Sequence, residues 1–112
     1  MSAIYSLENV NELAGGDQEF IAVLVQTFLE EIPPDVSHML EAVENNNPAE
    51  AYQFAHKMKP NLQLFGVDLT NEIITIEGWA KNGETKEVIL PIVQKVSTII
   101  IEVVKELEKD FS

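Results

Sequence analysis

The run KEVILPIVQKVSTIIIEVVKELEKD, residues 86–110, constrains the fold more than any other stretch of the chain. Ile89, Ile92, Val93, Val96, Ile99, Ile100, Val103 and Leu107 recur at the spacing that stacks side chains on one face of an α-helix. Its β-branched residues would suit a sheet if taken locally. The pattern is too long for an ordinary strand, however, and the helical period persists up to the charged end. A helix of this length with one apolar face is stabilised by tertiary packing against other elements, so the question becomes what the rest of the chain offers.

It offers helices with clear punctuation. Ser6 is the expected cap of a short first helix carrying Leu7, Val10 and Leu13, which Gly15-Gly16 stop. Asp17 caps a second, with Phe20, Leu24 and Phe28 expected on its inner face. Pro33 and Pro34 lack the N–H groups that the carbonyls of Leu29 and Glu30 need, so this helix is expected to kink or restart there and resume through Val36, Met39, Leu40 and Val43. Asn47-Pro48 with Glu50 is a strong start for a third helix, which runs past His56 towards Gly66. Asp68 opens a fourth, with Leu69, Ile73, Ile76 and Trp79 on one face, ending at KNGE. The expectation is an all-α chain, residues 1–112 forming one domain: an antiparallel four-helix bundle with a short additional N-terminal helix. Ile101 and Val104 lie off the main stripe of the last helix, and the first helix is expected to cover them.

Composition removes several function classes. Nineteen acidic residues against seven lysines give a formal charge of −12, which repels nucleic-acid backbones and anionic membrane surfaces. With no cysteine there is no thiolate metal site and no thiol nucleophile. The start of the chain has no basic and apolar leader pattern. Pro91, Gln94, Lys95 and Glu102 interrupt the most apolar stretch, whereas a membrane span needs ~20 largely uncharged residues. A monomer in the cytoplasm is expected.

The distribution of cations is uneven. The first eighty residues contain thirteen acids and only two lysines, Lys57 and Lys59, and these flank His56. Helical spacing puts Gln53, His56, Lys59 and Gln63 in one row, beside an apolar row of Phe54, Ala55, Met58, Leu62 and Phe65. His56 therefore belongs at the edge of the core, where a neutral imidazole is a nucleophile and the Lys59 ammonium can neutralise an arriving anion as a point charge. Lys57 points about 100° away, to steer a partner or stay solvated. His38 falls on the outer side of its helix. DVSH has the Asp-x-x-His spacing of half a di-metal site, but Gln53 stands where a second carboxylate would be needed, and no metal site is expected. Phosphate-cradling loops and a nucleophile triad are both missing from the sequence, so any phosphoryl donor must arrive already activated.

The segment AHKMKPNLQLFG resembles the histidine-bearing helix of histidine-containing phosphotransfer (HPt) domains, whose pattern is Ala-His-x-Leu-Lys-Gly-Ser followed by a further glycine. Ala55, His56, Met58, Lys59 and Gly66 supply the matching positions, and GDQEFIAVLVQTFLEEIPPDV and LEAVENNNPAEAYQFAHKMK are similar to the family over roughly residues 6–82. The resemblance implies a phosphorelay intermediate: His56 as phosphoacceptor, Lys59 stabilising phosphoryl charge and Gln63 as a candidate hydrogen-bond donor. Tyr52, Gln53, Lys57, Pro60 and Gly66 would form the docking face. The implied partners are response-regulator receiver domains and a hybrid sensor kinase, with Mg²⁺ held by the receiver and no cofactor in this chain. One position departs from the pattern. Pro60 replaces the small residue after the lysine, with Asn61 next to it. Its ring removes the N–H that would bond the His56 carbonyl and is expected to bend the helix there. Two further readings stay open: a degenerate module that binds a receiver without accepting phosphate, and a helical domain whose His56 is incidental.

Overall fold

A computed structural model describes residues 4–111 and is entirely helical among them, with turns and short loops between the helices. In chain order the helices are α1 (Glu8–Ala14), α2 (Gln18–Glu44), α3 (Pro48–Leu64), α4 (Thr70–Glu77), α5 (Trp79–Asn82) and α6 (Lys86–Asp110). α2 packs against α3 and α6, and α4 touches both α3 and α6, so each of these four contacts two others. The molecule measures 45 × 25 × 22 Å. Its long dimension is set by α2 and α6, since 27 helical residues at ~1.5 Å rise span about 40 Å.

Two helix starts follow their sequence signals closely. The Asp17 carboxylate accepts from the N–H groups of Glu19 and Phe20 at 3.0 and 3.3 Å. Asn47 accepts from the Glu50 N–H at 3.2 Å while its own amide donates to the Glu50 carboxylate at 3.1 Å, a reciprocal cap. α1 begins one residue later than expected. Leu7 is its N-cap and makes no side-chain bond, while the Ser6 hydroxyl accepts from the Glu8 N–H at 3.2 Å.

α2 runs unbroken through Pro33 and Pro34, so the expected restart does not occur. Each proline costs an internal helix ~3 kcal/mol in isolation. Ile32 and Val36, on either side, are fully or almost fully buried, and each such side chain recovers ~1.5–3 kcal/mol. These two roughly match the penalty of the two prolines, and the other buried residues of α2, among them Phe28, Met39 and Val43, make packing outweigh it. α3 likewise continues through Pro60 to Leu64.

The core is one continuous cluster drawn from all of the helices. Ile89, Val93, Val96, Ile100, Val103 and Leu107 of α6 are buried, with Ile92 and Ile99 half-buried beside them, as the periodicity indicates. The α2 stripe is as expected at Phe28, Val36, Met39 and Val43 and is shifted by one position in its first two turns. Ile21, Val25, Phe28 and Ile32 are buried, while Phe20 is exposed and Leu24 only half-buried. In α1 only Val10 is buried, and Leu13 is exposed.

Two expectations fail outright. α1 packs on α2 and does not cover Ile101, which is 52% exposed at a groove of about 330 Å³ lined by Pro33, Val36, Ile100 and Val104. The segment before α1 instead reaches the end of α3: the Ser6 N–H donates to the Phe65 carbonyl at 2.7 Å, and the Asn9 amide to the Gln63 carbonyl at 3.1 Å. Tyr5 donates to Asp110 at the end of α6. Burial first, and then that bond, push its phenol up to about 12. The fourth helix also starts later than expected, at Thr70, and it divides at Gly78 into α4 and α5. Trp79 there turns into the core and donates its indole N–H to the Glu84 carbonyl at 3.0 Å.

Candidate functional site

α3 carries the site on its outward row. Ala51, Ala55, Met58 and Leu62 are buried, which rotates Gln53, His56 and Gln63 to the surface and leaves Lys59 at the edge. The side chain of His56 is 62% exposed. Tyr52, one turn earlier, lies parallel to the imidazole, with centroids 5.6 Å apart and planes at 7°.

Sequence reasoning missed the residue that organises this site. Glu77, the last residue of α4, points back at α3 with its side chain only 13% exposed. One carboxylate oxygen lies 3.1 Å from His56 Nδ1, and the Lys59 ammonium donates to both oxygens at 3.2 and 3.4 Å. A carboxylate can only accept, so Nδ1 carries the proton, and a neutral ring in this tautomer has its lone pair at Nε2. Nε2 makes no hydrogen bond among the described residues. The imidazole is thereby held at its inner nitrogen, backed by an aromatic ring, and open at its outer nitrogen.

The signal for Glu77 was in the chain. It stands four residues after Ile73 and next to Ile76, both buried, and so on the inner side of α4. A carboxylate in that position needs a cation or donors across the interface.

The two lysines are therefore not free charges waiting for an anion. Lys59 is already paired with Glu77, and Lys57, expected to be solvated or steering, reaches α2 and donates to Asp35 at 3.0 Å. Asp35 is the one buried charged residue among those described, at 3% exposure. The hydrogen bond to its carboxylate holds the Lys57 ammonium above its ordinary 10.5. With Lys57 so engaged, the pair ties α3 to α2.

The remaining expected residues separate into two groups. Tyr52, Gln53 and Pro60 are exposed on the same helix as His56. Gln63 is exposed and borders a groove of about 200 Å³ between α3 and α4, shared with Lys59, Leu62, Leu69, Ile73 and the 55%-exposed Ile74. Gly66 is exposed and also has a role in the fold. With φ of 63° it follows the end of α3 in the left-handed region, and a Cβ there would lie 2.8 Å from that of Ser6. His38 is exposed and packs its ring 5.1 Å from that of Phe54. Among the described residues no group of three His, Asp or Glu side chains is placed to hold a metal ion, and no helix is long and apolar enough to cross a membrane.

Comparison of the chain with family models, with curated proteins and with solved structures finds no match.

Proposed function

We propose that this chain is a phosphorelay intermediate of the HPt kind, its long helical segments arranged as an antiparallel four-helix bundle, acting in the cytoplasm on receiver domains. The observation that carries the reading is the state of His56: exposed, its Nδ1 proton engaged by Glu77 and its Nε2 lone pair directed outward.

In this reading a receiver's phospho-aspartate docks over α3. Nε2 attacks phosphorus in line, the P–O bond to the aspartate breaks, and its electron pair leaves with the aspartate carboxylate. The product carries a new Nε2–P bond on a ring that keeps its Nδ1 proton against Glu77. Transfer to a second receiver is the reverse of this step with a new carboxylate as acceptor. Lys59 stabilises charge on the phosphoryl oxygens, Gln63 can donate a hydrogen bond to them, and Mg²⁺ belongs to the receiver. Catalysis of this kind is chiefly positioning and electrostatics. Incubating the protein with a radiolabelled phospho-receiver tests it. Wild type should acquire acid-labile, base-stable label and His56→Gln none; an unlabelled wild type refutes the proposal.

A second reading, a module that binds receivers without being phosphorylated, is favoured by Pro60, which is exposed on α3 one turn beyond His56. Transfer that is absent in wild type and appears in Pro60→Gly selects this alternative.

A further inference from the structure

The site already contains an anion. Glu77 occupies the Lys59 ammonium and the His56 Nδ1 proton together, and it does so from the final residue of α4, immediately before the break at Gly78. Lys59 lies one turn beyond His56 on the same side of α3, within reach of whatever Nε2 carries. A phosphoryl group bears up to two negative charges against the single charge of Glu77, and on Nε2 it is attached across the ring from the nitrogen that Glu77 holds.

We propose that Glu77 is a positioning residue that holds Lys59 while His56 is unmodified and yields it to the phosphoryl group once His56 is phosphorylated, releasing the last turn of α4. The inference rests on the phosphoacceptor reading above. The mechanism needs only the charges of these groups and of the ring. The new dianion attracts Lys59 and repels Glu77, while the ring, with phosphorus on Nε2 and a proton still on Nδ1, becomes cationic and keeps Glu77 as Lys59 leaves it. α4 has just eight residues; its last turn is anchored in the core by Ile76, with Trp79 buried just past the glycine, and among the described residues its side-chain polar contacts with α3 are those of Glu77. Because Lys59, Ile73 and Ile74 also line the groove between α3 and α4, phosphorylated and unmodified forms present different surfaces beside the same histidine. A relay protein that must meet a donor in one state and an acceptor in the other has a use for that difference.

Potassium phosphoramidate supplies the test without any partner protein. Nε2 attacks phosphorus, the donor's N–P bond breaks, and its electron pair leaves with ammonia. Amide hydrogen exchange is then followed at Ile76, Glu77 and Gly78; the Gly78 N–H is bonded to the Ile74 carbonyl at 2.9 Å and reports the last turn directly. Phosphorylated wild type should exchange about five-fold faster there, the change expected from losing one half-buried ion pair worth ~1 kcal/mol. Unmodified Glu77→Gln should already be fast and gain nothing further on phosphorylation. Unmodified Lys59→Gln provides the same comparison if Glu77→Gln does not fold, and His56→Gln should be unaffected by the reagent. Phosphorylation at His56 with unchanged exchange overturns the inference and leaves the phosphoacceptor reading standing. Failure of His56 to take up a phosphoryl group overturns both.

Discussion

Gly66→Ala is expected to destabilise the protein through two separable effects. The first is backbone conformation: at φ of 63° an L-residue sits in the left-handed region at a cost of ~1 kcal/mol relative to glycine. The second is collision, because the added methyl group would lie 2.8 Å from Ser6 Cβ and 3.2 Å from its backbone nitrogen. Ser6 cannot turn aside by changing rotamer, since Cβ moves only with the backbone, and that backbone is bonded to the Phe65 carbonyl at 2.7 Å. Relieving the clash therefore means giving up that hydrogen bond, worth ~1 kcal/mol, and some of the packing of Ile4 and Tyr5 on the core. The sum is ~2–3 kcal/mol, or roughly 8–12 °C in Tm for a domain of this size. Gly15→Ala is the control. Its φ is 60° and nothing lies within 4 Å of its Cβ position, so it should show the backbone cost alone, ~1 kcal/mol. Urea melts of both variants, together with Ser6→Gly and the Ser6→Gly/Gly66→Ala pair, form a double-mutant cycle. Removing the Ser6 methylene should restore ~1 kcal/mol to Gly66→Ala. Equal losses for Gly66→Ala and Gly15→Ala, with no coupling to Ser6, would refute the placement of the N-terminal segment against the end of α3.

The pair between α2 and α3 should respond asymmetrically: Lys57→Ala strands the carboxylate of Asp35 in a site where it is only 3% exposed, whereas Asp35→Ala leaves a lysine that can reach water, so urea denaturation should show Lys57→Ala as the more damaging. Glu72 is bonded to Lys95 at 2.6 Å, and that bond holds its carboxyl below the ordinary 4.5. Its contribution to stability is therefore complete above pH 4.5 and lost as pH falls through the lower folded-state value; Glu72→Gln should flatten that part of an acid stability profile. For His56, nitrogen NMR of neutral protein should find the ring proton on Nδ1, opposite to the preference of free histidine, and Glu77→Ala should shift the population back towards Nε2–H.

The helices with strong ends were legible because their signals are local. Asp17 and Asn47-Pro48 satisfy N–H groups two and three residues away, and the α6 stripe is a pattern within one segment. Sequence and structure part where a distant contact decides. Two adjacent prolines mark a break in any isolated helix, yet α2 passes through them because it is packed on α3 and α6 along its length. The division at Gly78 has the opposite cause. A continuous helix would suit the sequence from Thr70 to Asn82, but the chain breaks where the Trp79 indole is buried and bonded to Glu84, with the Asn82 amide 2.6 Å from the position of a Gly78 Cβ. The exposure of His56 followed from helical phase alone. Its partners did not, since Glu77 and Asp35 lie 21 and 22 residues from His56 and Lys57 and no short-range periodicity links them.

Those distant partners change the electrostatics of the site. Two lysines in an acidic half-chain suggest a positive patch awaiting an anion. With Lys57 on Asp35 and Lys59 on Glu77, the neighbourhood is close to neutral, and an approaching protein meets little long-range attraction. Docking in the proposed relay must then draw on apolar surface: the face of Tyr52, the side chain of Ile74 and the groove between α3 and α4. Charge enters only at contact, when a phosphoryl group competes with Glu77 for a lysine that is already positioned. A cation held in this way costs little reorganisation to re-share, and its charge is not exposed to every passing anion beforehand. In the proposed relay Glu77 would compete with phosphate for Lys59, and by the same contact it would keep that ammonium oriented until phosphate arrives.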